Sequence, residues 1–404
     1  MHVPEGWRKV SLSNVAEIRT GVAKGKQNIK DPIELPYLRV ANVQDGYIDL
    51  SDVKNIQIER NQIERFSLKI GDVLMTEGGD FDKLGRGDVW NGQINPCLHQ
   101  NHVFAVRPDQ QKLNSYFLAA LSASHYGKTY FLSCSKQSTN LASINSTQLK
   151  DFPVLLPTLP EQQKIAQILS TWDKAIEKLE ALIAAKQKRK KALMQQLLTG
   201  KKRFAEFEGK WEKIKLSQVL CEIKKETIPE ANKYELLTVK LHCKGAVRSG
   251  KYPTPTEGGR PYFLREQGEL IIGRQNLHNG GIAIVPKEAS GCVASNAISS
   301  FDIKRQNSKL FILYRMSLPK FFSTVDNLVG GTGQKEISVK ELMKIKIRIP
   351  KLEIEQQKIA SVLSAADAEI ETHQKQLSAL KEQKKGLMQQ LLTGKKRVKV
   401  DDHV

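Results

Sequence analysis

The residues of this chain best suited to touch another molecule sit in glycine- and amide-rich loops. In the first half they are Lys24, Lys26 and Gln27, then Thr76 with Lys83 and Arg86, then Lys136, Gln137, Ser138, Thr139 and Asn140. In the second half they are Lys244, Arg248 and Lys251, then Arg274, Gln275 and Asn276, then Thr332, Gln334 and Lys335. Arginine and lysine suit guanine, asparagine and glutamine suit adenine, and hydroxyls and lysines suit phosphate. Exposed loops are polar in any protein, so composition has to decide. The chain has 404 residues, with 63 Lys plus Arg against 43 Asp plus Glu and a formal charge of +20. That excess points to a polyanionic partner, double-stranded DNA first.

Other chemistries find less support. Cys97, His99 and His102 could begin a metal site, but no fourth ligand follows at a fitting spacing, so no metal is expected. The five cysteines are scattered without a CxxC pair, as in a reducing compartment. No G-x-x-x-x-G-K-[ST] loop is present. Asn95-Pro96-Cys97 lacks the second proline and the aromatic residue of an amino-methyltransferase motif. Glu288, Asp302 and Lys304 have spacings that arise freely in a chain with 26% charged residues. No catalytic residue and no cofactor is therefore expected in this chain. The first residues, MHVPEGWRKV, contain no apolar signal core, and no run of apolar residues suits a membrane span. The expectation is a cytoplasmic protein with no membrane partner.

These loops are carried by a tandem duplication. EQQKIA at Glu161–Ala166 recurs at Glu355–Ala360, and LMQQLLTGKKR at Leu193–Arg203 recurs at Leu387–Arg397, both at a spacing of 194. Across 161–203 and 355–397, 25 of 43 aligned positions are identical. Weaker correspondences precede them: Trp7–Val15 with Trp211–Val219, Cys97 and Asn101 with Cys292 and Asn296, and Ile144 with Ile337. Each half is thus a variable region of ~150 residues followed by a nearly constant segment of ~45.

The constant segments predict long helices. From Glu161 to Thr199 there is neither proline nor glycine, with Pro160 suited to the first turn and Gly200 to the C-terminal cap. Ile165, Leu169, Trp172, Ile176, Leu179 and Ile183 alternate steps of four and three, the 3.5-residue period of a coiled coil. The second copy repeats the seam through Leu363, Ile370, Leu377 and Leu380. A helix of ~39 residues spans about 58 Å, and a narrow apolar stripe of that length needs a partner. Pairing the two copies antiparallel keeps the Lys-rich stretches 186–191 and 381–385 apart. The variable regions read as α+β, with strands at Val73–Thr76, Val103–Val106, Leu236–Val239, Leu270–Ile272 and Ile345–Ile349 and short helices at Leu113–Ser122 and Phe311–Met316.

Two diverged globular regions, each followed by a near-identical coiled-coil helix, resemble the specificity (S) subunit of type I restriction–modification systems. The resemblance covers essentially the whole chain and is carried by Leu159–Ala166, by the duplicated LMQQLLTGKKR, and by Gly71–Met75 followed by Asn101–Val106. The second copy departs from the last pattern, reading Gly268–Ile272 and Asn296–Phe301. The resemblance implies an α+β fold with two target recognition domains separated by two long antiparallel helices, pseudo-two-fold symmetric. The expected boundaries are 1–157 and 205–352 for the domains, 158–204 for the first helix, and 353–404 for the second helix and tail. It further implies a non-catalytic DNA-reading subunit that recruits two methyltransferase (M) and two restriction (R) subunits. Those partners would carry S-adenosylmethionine, ATP and Mg. Without the resemblance, the same residues would also fit a two-domain DNA-binding regulator or a chromosome-organising coiled-coil protein.

Overall fold

The computed structural model describes residues 3–25, 29–79, 81, 84–137, 141–254, 260–304, 307–329 and 336–400. It divides into two compact units, one of Met1–Glu180 with Lys375–Val404 and one of Ala181–Gln374. Each unit therefore holds one variable region, part of the first long helix and part of the second.

In the first unit, the strand Val73–Thr76 lies between Val103–Pro108 and Gly87–Val89, with Ala16–Thr20 outside, all antiparallel. Its side chains serve two cores. Val73 and Met75 pack with Phe104, Val106, Phe117 and Phe131, while Leu74 faces Trp90, Val103 and Ala105. Burial on both faces explains why the strand reads as a continuous apolar run instead of an alternating one. The larger core also takes Ile165 and Leu169 from the first long helix and Leu391 and Leu392 from the end of the second.

The second unit repeats this plan. Leu270–Gly273 lies between Ile298–Ile303 and Ile282–Ile284, with Leu220–Glu222 outside. Leu270 and Ile272 join a core with Phe301, Phe311 and Leu363, while Ile271 faces Ala283 and Ala294. The short helices expected at Leu113–Ser122 and Phe311–Met316 run over Ser115–Ala123 and Lys309–Met316, each started by an Asn114 or Ser308 side chain that accepts from a backbone N–H.

The long helices are Leu159–Leu197 and Glu353–Leu391, 39 residues each. Ile165, Leu169, Ile183, Leu363 and Ile370 are buried, and Trp172, Ile176, Leu179, Leu377 and Leu380 are half-buried. Within the first unit, Lys384 pairs with Asp173 and Lys381 with Glu180. Within the second, Lys190 pairs with Asp367 and Lys186 with Glu369. Rising numbers meet falling ones, so in each unit the helices run antiparallel. Each Lys-rich stretch thereby faces carboxylates of the other helix. Lys186 and Lys190 take the next two positions of the four-and-three spacing after Ile183, and Glu369 and Asp367 account for lysines there. Lys190 is further held 5.5 Å over the Tyr314 ring, and the Tyr314 hydroxyl donates to Asp367 at 2.7 Å.

The duplicated motifs close each unit with a clasp. Arg397 donates through Nε and Nη2 to Glu161 at 2.7 and 2.9 Å, and Trp7 Nε1 donates to the same carboxylate at 3.2 Å. Arg203 donates to Glu355 at 2.8 Å through both nitrogens, and Trp211 Nε1 adds a third bond at 3.2 Å. Gln162 and Gln356 complete the arrangement by donating to the carbonyls of Pro157 and Pro350 at 3.0 Å. Gly200 and Gly394 make this possible. With φ of +71° and +67°, they take the left-handed conformation that ends each helix and turns the following Lys-Lys-Arg back.

Candidate nucleic-acid interface

In the first unit, loops far apart in sequence meet at the end of the central strand. The Glu77 N–H donates to the His102 carbonyl at 3.0 Å, and the Ile144 N–H donates to the Glu77 carbonyl at 2.9 Å. Gly78–Gly79 then pairs with Ala142–Ser143, which pairs with Lys136–Gln137, forming a small three-stranded sheet. A Cβ on Gly78 would approach the Ala142 carbonyl to 3.0 Å, so glycine suits this tight crossing. The loop that follows Gly21 joins the same place, because the Asn101 N–H donates to the Val22 carbonyl at 3.0 Å. Asn101 and His102 thus lie where all three predicted loop groups converge. His102 Nδ1 lies 2.5 Å from Glu77 Oε2, and both side chains reach the surface.

The second unit builds the same junction from different side chains. The Arg274 N–H donates to the Ala297 carbonyl at 3.0 Å, and the Ile337 N–H donates to the Arg274 carbonyl at 3.2 Å. Arg274 stands where Glu77 stood, since Thr76 opposes Val103 and Gly273 opposes Ile298 in equivalent ladders. Its Nη2 donates to the Asn296 carbonyl at 2.7 Å and pairs with Glu336 at 2.9 Å. Gln275 donates to the same Glu336 carboxylate at 3.4 Å. The Nε atoms of Arg274 and Arg86 are buried without a hydrogen-bond partner among the described residues.

Several predicted contact residues have other surroundings. Thr76 is a wholly buried strand residue, so its backbone belongs to the junction and its side chain does not reach the surface. Arg248 is exposed but held by Glu235 at 3.1 Å and by the Ser290 carbonyl at 3.1 Å. The Glu235 carboxylate beside it raises its pKa. Lys24 is exposed 5.9 Å over the Tyr37 ring. Lys136, Gln137, Lys244, Lys251 and Asn276 are exposed. Lys26, Gln27, Lys83, Ser138, Thr139, Asn140, Thr332, Gln334 and Lys335 lie outside the described residues.

The predicted contact residues do not include Glu77, His102, Asn296 or Glu336; the sequence suggests His102 only as a metal ligand and Asn296 only as the repeat counterpart of Asn101. The usable signal was that Asn101 and Asn296 occupy corresponding positions immediately before equivalent strands.

Electrostatics behind the junction are structural. Arg107 donates to Asp72 at 2.7 and 2.8 Å, and the buried Asp72 carboxylate raises the guanidinium pKa. His99 is 2% exposed, its Nδ1 lies 2.7 Å from the Val103 carbonyl, and burial pushes its pKa down to about 4. Burial pushes the Cys97 thiol up to about 12. Cys97 and His99 are core residues, while His102 faces Glu77. Among the described residues no group of three His, Cys, Asp or Glu is placed to hold a metal ion. Asp302 pairs with Lys309 at 3.1 Å, and the Lys304 ammonium donates to the Ser217 carbonyl at 2.8 Å. No described helix is long and apolar enough to cross a membrane.

Residues 4–187 and 208–382 each match the family model described as the type I restriction modification DNA specificity domain. The chain is 29% identical over 411 residues to the putative type I restriction enzyme MjaX specificity subunit of Methanocaldococcus jannaschii, covering 98% of this chain and 95% of that protein. It is 25% identical over 422 residues to the MjaVIII specificity subunit of the same organism, covering 99% and 95%. In fold it is similar to the crystal structure of a type I restriction-modification S subunit from M. genitalium, with a TM-score of 0.57 and 15% identity. That match spans 97% of this chain and 98% of the other.

Proposed function

This chain belongs to the type I restriction–modification DNA specificity family, and on that premise we propose that each unit reads one half of an asymmetric, bipartite duplex site. The helix pair sets the spacer between the halves. Membership makes the chain a DNA-recognition subunit with two target recognition domains, and not an enzyme. The observation that carries the bipartite reading is the duplicated junction. The same backbone bonds hold Glu77 in one unit and Arg274 in the other, which is what two readers with one scaffold and two targets require. On this reading the chain works in the cytoplasm within a complex of two methyltransferase and two restriction subunits. S-adenosylmethionine, ATP and Mg belong to those partners. Lysines such as Lys24, Lys136, Lys244 and Lys251 supply phosphate contacts, so affinity falls as salt rises.

The test is the methylated sequence. Assembled with its methyltransferase partner and supplied with S-adenosylmethionine, the chain is expected to direct adenine methylation within a split motif of fixed gap. Seven residues inserted after both Glu180 and Gln374 lengthen each helix by about 10 Å. At ~3.4 Å per base pair the gap should widen by about three pairs. A contiguous motif, or a gap indifferent to the insertions, would overturn the reading.

A further inference from the structure

At each loop junction one residue is bonded through both its N–H and its carbonyl, and it follows directly on the buried central strand. The N–H reaches the turn before the neighbouring strand, through His102 or Ala297, and the carbonyl receives the N–H of Ile144 or Ile337. Two backbone bonds and a buried strand fix the direction of its Cα–Cβ bond far better than an ordinary loop would. The backbone is the same in both units, whereas the side chain is an acid in one and a base in the other. Their partners differ as well: His102 faces Glu77 at 2.5 Å, and Glu336 faces Arg274 at 2.9 Å. Neither is packed away. The Glu77 side chain is 32% exposed and that of Arg274 is 21% exposed. A purely structural position would keep its charge between copies, as the clasp glutamates do.

We propose that Glu77 and Arg274 are the specificity-determining side chains of their junctions, Glu77 selecting a base-edge amino donor and Arg274 selecting guanine. The chemistry follows from what each can offer. A carboxylate only accepts, so it favours the exocyclic amino group of cytosine, whereas a guanidinium only donates and matches guanine O6 and N7. His102 and Glu336 act as positioning residues: His102 holds Glu77 by a hydrogen bond, Glu336 holds Arg274 by an ion pair, and each limits the rotamers its neighbour can adopt. In the arginine junction the bonds that the guanidinium makes among the described residues run through Nη2, to the Asn296 carbonyl and to Glu336, and Nη1 is the group proposed to meet a base edge. This inference rests on the reading that each unit takes one half-site.

The experiment uses the chain assembled with its methyltransferase partner and maps methylated adenines over a randomised DNA library. Glu77→Gln keeps the shape of the side chain but adds a donor, and Arg274→Gln removes the charged fork. The expected result is reciprocal. Glu77→Gln relaxes one base position in one half-site by roughly tenfold and leaves the other half unchanged, while Arg274→Gln does the reverse. His102→Ala and Glu336→Gln should weaken discrimination at those same positions by less, because the reader remains. An unchanged motif in the glutamine variants, or an equal loss on every sequence, would make these residues structural or phosphate-binding and would overturn the proposal. So would a glutamine variant that fails to assemble while His102→Ala or Glu336→Gln keeps the wild-type motif. A wild-type complex that methylates no split sequence would instead remove the bipartite reading beneath it.

Discussion

The clasp and the loop junction are both duplicated, yet they have been held constant in opposite ways. At the clasp the side chains are the same, Glu161 with Arg397 and Trp7, and Glu355 with Arg203 and Trp211, and each pair of equivalent bonds agrees within 0.1 Å. At the junction only the backbone bonds are the same, and an acid stands opposite a base. Side-chain identity is preserved where a buried charge must be neutralised for the unit to close. It is released where the side chain points outward from a backbone already fixed by its own hydrogen bonds. The two kinds of constancy separate what holds the fold from what faces a partner.

The sharpest way to break this comparison is at the clasp. The Glu355 side chain is 2% exposed, and Arg203→Ala leaves that carboxylate with the Trp211 N–H as its remaining partner among the described residues. Removing one partner of a buried pair costs about 3–5 kcal/mol, because the remaining charge stays desolvated. Denaturant unfolding is expected to show a loss of that order in the second unit. Arg203→Lys should recover part of it, since a lysine neutralises the charge but cannot make the two parallel bonds. A double replacement by methionines at 203 and 355 should cost far less than Arg203→Ala. A loss below ~1 kcal/mol for Arg203→Ala would mean that the repeated Glu and Arg are kept for some reason other than closure.

A second test exploits a difference between the units. His99 is buried in the first, and its counterpart in the second is Ala294. The histidine is held neutral, with a pKa near 4 against an ordinary value of 6.5. The unfolded chain takes up a proton as pH drops through 6.5, and the folded unit does not until about 4. Its contribution is therefore complete above 6.5 and is lost progressively between 6.5 and 4, by about 3 kcal/mol at ~1.36 kcal/mol per pH unit. The free energy of opening obtained from hydrogen exchange, after the intrinsic slowing of amide exchange at lower pH is divided out, should fall in the core of the first unit on acidification from pH 7.5 to 5, and less so in the second. An equal fall in both would assign the effect to something other than His99.

How much of this was legible in the sequence follows the range of each interaction. The helices and their seam depend on neighbours three and four residues apart, so Ile165, Leu169, Ile183, Leu363 and Ile370 could be assigned from spacing alone. The strand Val73–Thr76 was equally plain because both of its faces are buried. The motif EQQKIA was visible as a repeat, but its meaning was not, since Arg397 meets Glu161 across 236 positions and Arg203 meets Glu355 across 152. The junction was half legible. The search for partners of a polyanion selected Arg274 and the loop around Thr76, and it passed over Glu77 and Glu336 because their charge has the wrong sign for phosphate. Base edges carry donors as well as acceptors, and an acid can serve there.

The smallest expected effect lies between these extremes, on the helix surface. Lys384 and Lys190 are identical in the two copies, and each meets the equivalent carboxylate, Asp173 or Asp367. These pairs resemble the clasp in being conserved, but Asp173 is 57% exposed where Glu161 is 2% exposed. Water and ions screen such a pair, so Lys384→Gln should cost about 0.5 kcal/mol in the first unit, and the difference should vanish in ~1 M salt. Lys190→Gln should cost more than its counterpart, because Lys190 also lies over the Tyr314 ring and Asp367 accepts from the Tyr314 hydroxyl. Measured side by side at low salt, the two substitutions isolate what the Tyr314 setting adds to the same conserved pair. Equal losses that persist in high salt would count against screening and against any role for that ring.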